Sequence, residues 1–203
     1  LTNKSYNSDS SLHRYFVDGN STTADVYFNS GWHTIVVGTL GAGGNEIFAL
    51  DVTNPDSITL LWEFTSQTDP ELGATFATPV IAKLHSGDWG VIVGNGYNGN
   101  NGKAALFVLN ASTGAVIKKL TTSVEGNNGL SSPVVLDANS DGIADYVYAG
   151  DLLGNLWRFD LIGTSLTATA AASSYKVAFG NTPLYTATTS TSSGVAQSIT
   201  APP

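Results

Sequence analysis

Three times along this chain a short run of β-branched or aromatic residues stops on a glycine. Ile35, Val36 and Val37 end on Gly38; Val91, Ile92 and Val93 end on Gly94; residues 146–149 end on Gly150. The three glycines stand 56 residues apart in both steps. A second echo follows each of them: Ile47, Phe48, Ala49, Leu50 and Asp51, then Leu106, Phe107, Val108, Leu109 and Asn110, then Leu156, Trp157, Arg158, Phe159 and Asp160. A strand-like run opens each unit, over residues 24–28, 79–84 and 133–137, and outer strands over 60–65 and 115–121 complete the first two. Repetition at a fixed period constrains a chain strongly, because every unit holds the same elements and none can bury both of its faces alone. About four strands per unit, repeated at roughly 50 residues, is the pattern of propeller blades stacked face to face around an axis. A β-sandwich also uses short strands and turns but gives no reason for the equal spacing. The chain is therefore predicted to be all-β, a partial β-propeller of four-stranded antiparallel blades, with about three to four blades present.

The units run over residues 12–66, 76–122 and 130–187. Either 175–179 or 184–186 supplies the last strand of the third, and residues 198–203 read as the start of a further blade. All belong to one domain over 12–203, after a polar lead-in, 1–11, that has neither a basic end nor an apolar stretch and so is no signal peptide. Propellers close with about four or more blades, so the chain is expected to form an open arc of a larger ring.

Composition narrows the function. Only 12% of residues are charged and 42% are apolar, with Gly, Ser, Thr and Asn abundant, which suits short strands joined by turns. The net charge of −8, with no basic cluster, argues against nucleic acid and against anionic lipid. The absence of Cys excludes disulfides and thiolate metal sites, and no apolar run is long enough to span a membrane. The Gly- and Asn-rich stretch 94–103 lacks the Gly-Lys-Ser/Thr ending of a phosphate cradle and reads as a surface loop. His13, His33 and His85 are scattered, without metal-ligand spacing, and no Gly-x-Ser-x-Gly elbow accompanies a His and an acid. No catalytic residues are expected, and the chain is read as no enzyme. Trp32, Trp62, Trp89 and Trp157 fall within strand patterns and are expected to pack between blades. Asp151 and Asn155 flank a tight turn and are expected to bond its backbone.

Residues 137–145 are the exception to this bland chemistry. Asp137, Asn139, Asp141 and Asp145 place oxygens at the first, third, fifth and ninth positions, and Gly142 stands at the sixth, as in the first nine positions of an EF-hand calcium loop. Calcium takes about six to eight oxygens, and alternating ligand and spacer lets the chain wrap it, with the carbonyl of Ile143 turned inward as a further ligand. The twelfth position, where an EF-hand has its bidentate Glu, is Tyr148, so Asp145 is expected to close the site with both oxygens. Strand-like flanks replace the helices. An ordinary solvated turn would not need three carboxylates at alternate positions, where they repel one another.

With these residues in view the chain resembles the carboxy-terminal β-propeller of the PilY family. The likeness is carried by His13 through Gly19, by Leu40 to Gly44 with Ile47 to Asp51, by Gly94 to Asn98, and above all by Asp145 through Leu161 (DYVYAGDLLGNLWRFDL). It covers most of the chain, from about His13 to Pro202, and the loop precedes the Gly-Asp-Leu, Gly-Asn-Leu-Trp and Phe-Asp-Leu pieces in the family's order. The resemblance implies an exported protein of type IV pili, at the pilus tip, cell surface, outer membrane or periplasm of a Gram-negative bacterium. It implies minor pilins and host or abiotic surfaces as partners. It further implies a Ca2+ ion held by Asp137, Asn139, Asp141, Ile143 and Asp145, which tunes pilus extension, retraction, twitching and adhesion. Family members often have Asp where this chain has Asn139, and the missing carboxylate is expected to weaken binding modestly.

Two other readings remain open at this stage. Residues 48–51 and 61–64 resemble blades of quinoprotein dehydrogenases that use pyrroloquinoline quinone, but those place calcium against a cofactor near the axis with a catalytic carboxylate. An integrin-like propeller shares the alternating Asp pattern but repeats it in several blades, whereas the corresponding turn here, residues 85–88, lacks it.

Overall fold

The chain's computed structural model describes residues 15–189 and 194–203. The lead-in 1–11, together with His13 and Arg14, lies outside them. Strands β1 (Ser21–Phe28), β2 (Gly31–Thr39), β3 (Glu46–Asp51) and β4 (Thr59–Thr65) form the first blade in sequential antiparallel order. Asn29 and Ser30 join β1 to β2 with both φ angles positive (49° and 64°), the geometry a two-residue hairpin needs to match strand twist. The second blade is β5 (Val80–Leu84), β6 (Trp89–Gly94), β7 (Lys103–Asn110) and β8 (Val116–Glu125).

The third blade departs from this regularity. After β9 (Val134–Leu136) the chain forms β10 (Ile143–Ala144), then β11 (Tyr146–Gly150) and β12 (Asn155–Asp160). Both candidate segments for its last strand pair with β12, as β13 (Lys176–Val177) and β14 (Tyr185–Thr186). The interruption between them contains Phe179, Gly180 and Asn181, all at positive φ. β10 does not join its own blade at all. It pairs in parallel with β5 of the second blade, Ile143 opposite Lys83 and Ala144 opposite Leu84.

The alternation of side chains along β6 and β7 explains why blades stack. Val91, Val93, Phe107 and Leu109 enter a core shared with Val26, Ile35, Ile47 and Phe64 of the first blade. Ile92, Leu106 and Val108 point the other way, into a core shared with Val147, Trp157 and Phe159 of the third. A strand buried on both faces has no polar side, which is why residues 104–109 are a continuous apolar run. Each fully buried Val, Leu or Phe contributes about 1.5–3 kcal/mol, against about 0–1 for a surface ion pair, so the seams and not the charges hold the blades together.

The evenly spaced glycines have a physical reason at two of their three positions. A Cβ on Gly94 would lie 2.4 Å from the carbonyl oxygens of Leu130 and Ser131, and one on Gly150 would lie 2.3 Å from Cγ2 of Ile199. The connector that leads out of each blade crosses the strand end in backbone contact, where no side chain fits. At Gly38 the ring of Phe48 takes that space instead. Each glycine is followed by a fully buried polar residue: Thr39, Asn95 and Asp151. Asn95 belongs to the expected surface loop, yet its Oδ1 accepts from the N–H groups of Ala105 and Leu130 and ties blade to connector. Asp151 accepts from Leu153 N and Asn155 N in its turn, and also from the side chains of Asn128, Asn155 and Trp157.

Candidate metal centre

Between β9 and β11 the chain curls on its own carboxylates. Asp137 Oδ2 accepts from Gly142 N at 2.7 Å and its Oδ1 from Asp141 N at 3.2 Å. Asn139 Oδ1 accepts from Asp141 N at 3.3 Å, and Asp141 Oδ1 from Ile143 N at 2.9 Å. The turn is possible because Ser140 and Gly142 adopt positive φ (62° and 82°), and a Cβ on Gly142 would meet nothing. Bonds from the loop's N–H groups, that of Gly142 foremost, hold the Asp137 carboxyl below the ordinary carboxylate range and so favour its charged form. Residues 138–142 are exposed.

The far end of the loop is fixed differently. Asp145 is fully buried; its Oδ2 accepts from Ala138 N at 2.6 Å, and its Oδ1 lies 2.7 Å from Nε2 of His85. His85 follows β5 directly, is 3% exposed, and its Nδ1 lies 3.0 Å from the carbonyl of Ala168. Both ring nitrogens are thus engaged, one by the Ala168 carbonyl and one by the Asp145 carboxyl. Together with the β10–β5 pairing, this contact fastens the loop to the second blade, where the repeat alone places it within the third.

Asp145 therefore does not present both oxygens to the loop, as the twelve-position comparison suggested. Its Oδ1 is committed to His85, and only Oδ2 reaches the loop, at its second residue. Among the described residues no three Asp, Glu, His or Cys side chains form a group able to hold a metal ion by themselves. The reason is visible in the ligand set: its third member is an amide, its seventh position offers a backbone carbonyl, and its last carboxylate is turned toward an imidazole. What remains is an all-oxygen set at alternate positions, with Asp137 and Asp141 bonded only within the loop, and this donor chemistry fits a hard cation such as Ca2+.

Sequence reasoning missed His85, which is 60 residues from its partner. The signal was present: residues 85–88 form the turn of the second blade that corresponds to the loop of the third, and corresponding turns of adjacent blades are neighbours in space. Of the remaining singled-out residues, Trp62 and Trp157 pack as expected, but Trp32, expected between blades, is 61% exposed because it stands next to the β1–β2 turn at the end of its blade. Trp62 Nε1 donates to Ala111 O across the first seam at 2.9 Å, and Trp157 is fully buried. His33 lies 2.7 Å from Asp51 and stacks on Phe28.

Over residues 1–203 the chain matches the family described as the PilY1 beta-propeller domain. Type IV pilus biogenesis factor PilY1 of Pseudomonas aeruginosa is 48% identical over 219 residues, which cover 100% of this chain and 19% of that protein. A PilY1 homolog of Xylella fastidiosa is 45% identical over 192 residues, 94% of this chain and 14% of that protein. The crystal structure of the Pseudomonas aeruginosa PilY1 C-terminal domain superposes with a TM-score of 0.85 at 49% identity, covering 92% of this chain and 40% of that one. The chain spans no more than about a fifth of the length of these curated relatives. By sequence and by fold it belongs to the PilY1 β-propeller family.

Proposed function

We propose that this chain is the calcium-responsive, non-enzymatic propeller segment of a type IV pilus assembly protein, exported and displayed at the pilus tip or cell surface. The observation that carries the reading is the loop itself: five oxygen-bearing positions in the spacing of a calcium loop, curled by their own backbone bonds, at one end of a blade. A bound Ca2+ supplies positive charge that offsets the repulsion among Asp137, Asp141 and Asp145. The chain's residues do the rest. Asp137, Asn139 and Asp141 would hold the ion with side-chain oxygens, Ile143 with its carbonyl, and Asp145 with the oxygen that faces the loop. Ordering residues 138–142 against the buried Ala144 and Asp145 tightens the join between the second and third blades, because β10 belongs to one sheet and its flanks to another. An ion that binds the ordered loop preferentially stabilises it in proportion to occupancy. In this reading that change is transmitted to pilin partners and to the surfaces the pilus meets, and it sets the balance of extension against retraction.

Calorimetric titration of the chain with calcium tests the reading. Saturable binding of one ion is expected, lost in Asp145→Ala and weakened in Asp141→Asn. Asp141 is exposed, so that variant keeps the fold. Titrations identical to wild type in both variants would sink the proposal. In cells, the same two substitutions should uncouple twitching motility from external calcium.

A further inference from the structure

A hollow of about 220 Å3 lies on the opposite seam, where the first blade meets the second, lined by Tyr27, Phe28, Asp88, Trp89, Asn110 and Ser112. Trp32 stands at its side, with ring centroids 5.5 Å from Tyr27 and 6.1 Å from Trp89, both edge to face. Trp32 is 61% exposed and Tyr27 48%. Two hairpin turns thus bring a cluster of rings together beside a polar rim, with Trp32 and Tyr27 largely in water. That rim is unspent. Asp88 Oδ2 accepts from the Ser86 hydroxyl, but Asp88 Oδ1 bonds to no other described residue. Asn110 Oδ1 accepts from Ser112 N and Thr113 N, which fixes the amide, while Asn110 Nδ2 and the Ser112 hydroxyl also have no described partner.

We propose that this hollow binds a neutral pyranose unit of a glycan. A sugar ring has an apolar C–H face that lies against aromatic rings, and hydroxyls at its edge that need donors and acceptors at once. The hollow offers the rings of Tyr27 and Trp89, an acceptor in Asp88, and donors in Asn110 and Ser112. Charge selects among ligands that could use an aromatic wall. The Lys83 ammonium lies 5.7 Å from the Trp89 centroid and donates to the carbonyl of Gly87, so a cation already occupies that ring's attraction. Asp88 and the chain's net charge of −8 disfavour an anionic sugar. A neutral polyhydroxylated ring remains. The site is built from the first two blades and stands apart from the calcium reading.

The test is titration of the chain with neutral gluco-, manno- and galacto-configured trisaccharides, followed by tryptophan fluorescence and calorimetry, with a sialylated and an amino sugar as charged comparisons. Saturable binding of at least one neutral series is expected, with both charged sugars weaker. Trp32→Ala and Asp88→Ala should each weaken it about tenfold while leaving the melting curve close to wild type. Absence of binding by every neutral sugar would overturn the proposal and turn attention to a peptide partner. Equal affinity in both variants, or preference for a charged sugar, would overturn it as well.

Discussion

Replacing His85 by Ala tests whether the loop really fastens one blade to the next. His85 and Asp145 are 2% and 0% exposed in their side chains and 2.7 Å apart, so the substitution strands a buried carboxylate oxygen. Removing one partner of a buried pair costs about 3–5 kcal/mol. Asp145 keeps its bond from Ala138 N, which places the expectation at the lower end, about 3 kcal/mol. At about 2–4 °C per kcal/mol for a domain of this size, the melting temperature should fall by roughly 6–12 °C. His85→Gln can still donate one hydrogen bond to Asp145 and should recover about half of the loss. Thermal unfolding followed by circular dichroism gives the magnitude, and hydrogen exchange gives its place. The amides of Ala138, Ile143 and Ala144 should exchange faster, while those of β2 and β3 in the first blade stay unchanged. A His85→Ala melt within about 2 °C of wild type, or faster exchange spread evenly over all blades, would refute the clasp.

Two further outcomes follow from the buried polar groups and the charges. Trp157→Phe removes one donor from the buried Asp151 carboxylate and should cost about 2 kcal/mol, a fall of roughly 4–8 °C in melting temperature, whereas a neutral result would show the remaining four donors to suffice. Stability should also decline at both pH extremes for identifiable reasons, to be read from urea midpoints across pH. The Thr53 hydroxyl, foremost among its partners, lowers the folded pKa of Asp51, so that residue's contribution is whole above about pH 3.9 and is lost as pH falls through the depressed value. Burial works against the Lys119 ammonium, but Asp69 and Glu71 outweigh it and raise its pKa, so its contribution is whole below about pH 10.4 and is lost as pH rises through the raised value. Lys119→Met should flatten the alkaline limb, and an unchanged limb would refute the assignment.

How much of this molecule could be read from its residues depended on whether the cause was local. The all-β propeller was legible because burial on alternate faces writes itself as apolar runs, as in residues 104–109, and because each blade repeats them. The curled turn over residues 137–145 was legible because its alternating oxygens and its glycine are a property of consecutive residues. Features set by neighbours in space were not. Ile143 and Ala144 carry no mark that sends them to another sheet, and the two-residue strands β13 and β14 are too short for alternation to register. Asn95 looked like a loop residue because amides favour turns; only the fold shows that it satisfies two backbone N–H groups inside the seam. Trp32 and Trp157 sit in similar patterns, yet one is 61% exposed and the other fully buried.

The two ends of the loop differ in a way that bears on how calcium would act. Ala144 belongs to the same core as Leu84, Ala170 and Tyr175, and Asp145 is locked between His85 and Ala138, so this end is part of the seam with or without an ion. Residues 138–142 are exposed, and apart from a contact from Asn139 Nδ2 to Leu166 O at 3.4 Å, Asn139 and Asp141 are held by bonds within the loop. Side-chain packing cannot order that half, whereas neutralising Asp137 and Asp141 can. In the proposed mechanism the ion closes an exposed half against a fixed one. The response should therefore be confined to the join between the second and third blades, leaving the first blade, and the hollow between it and the second, unchanged.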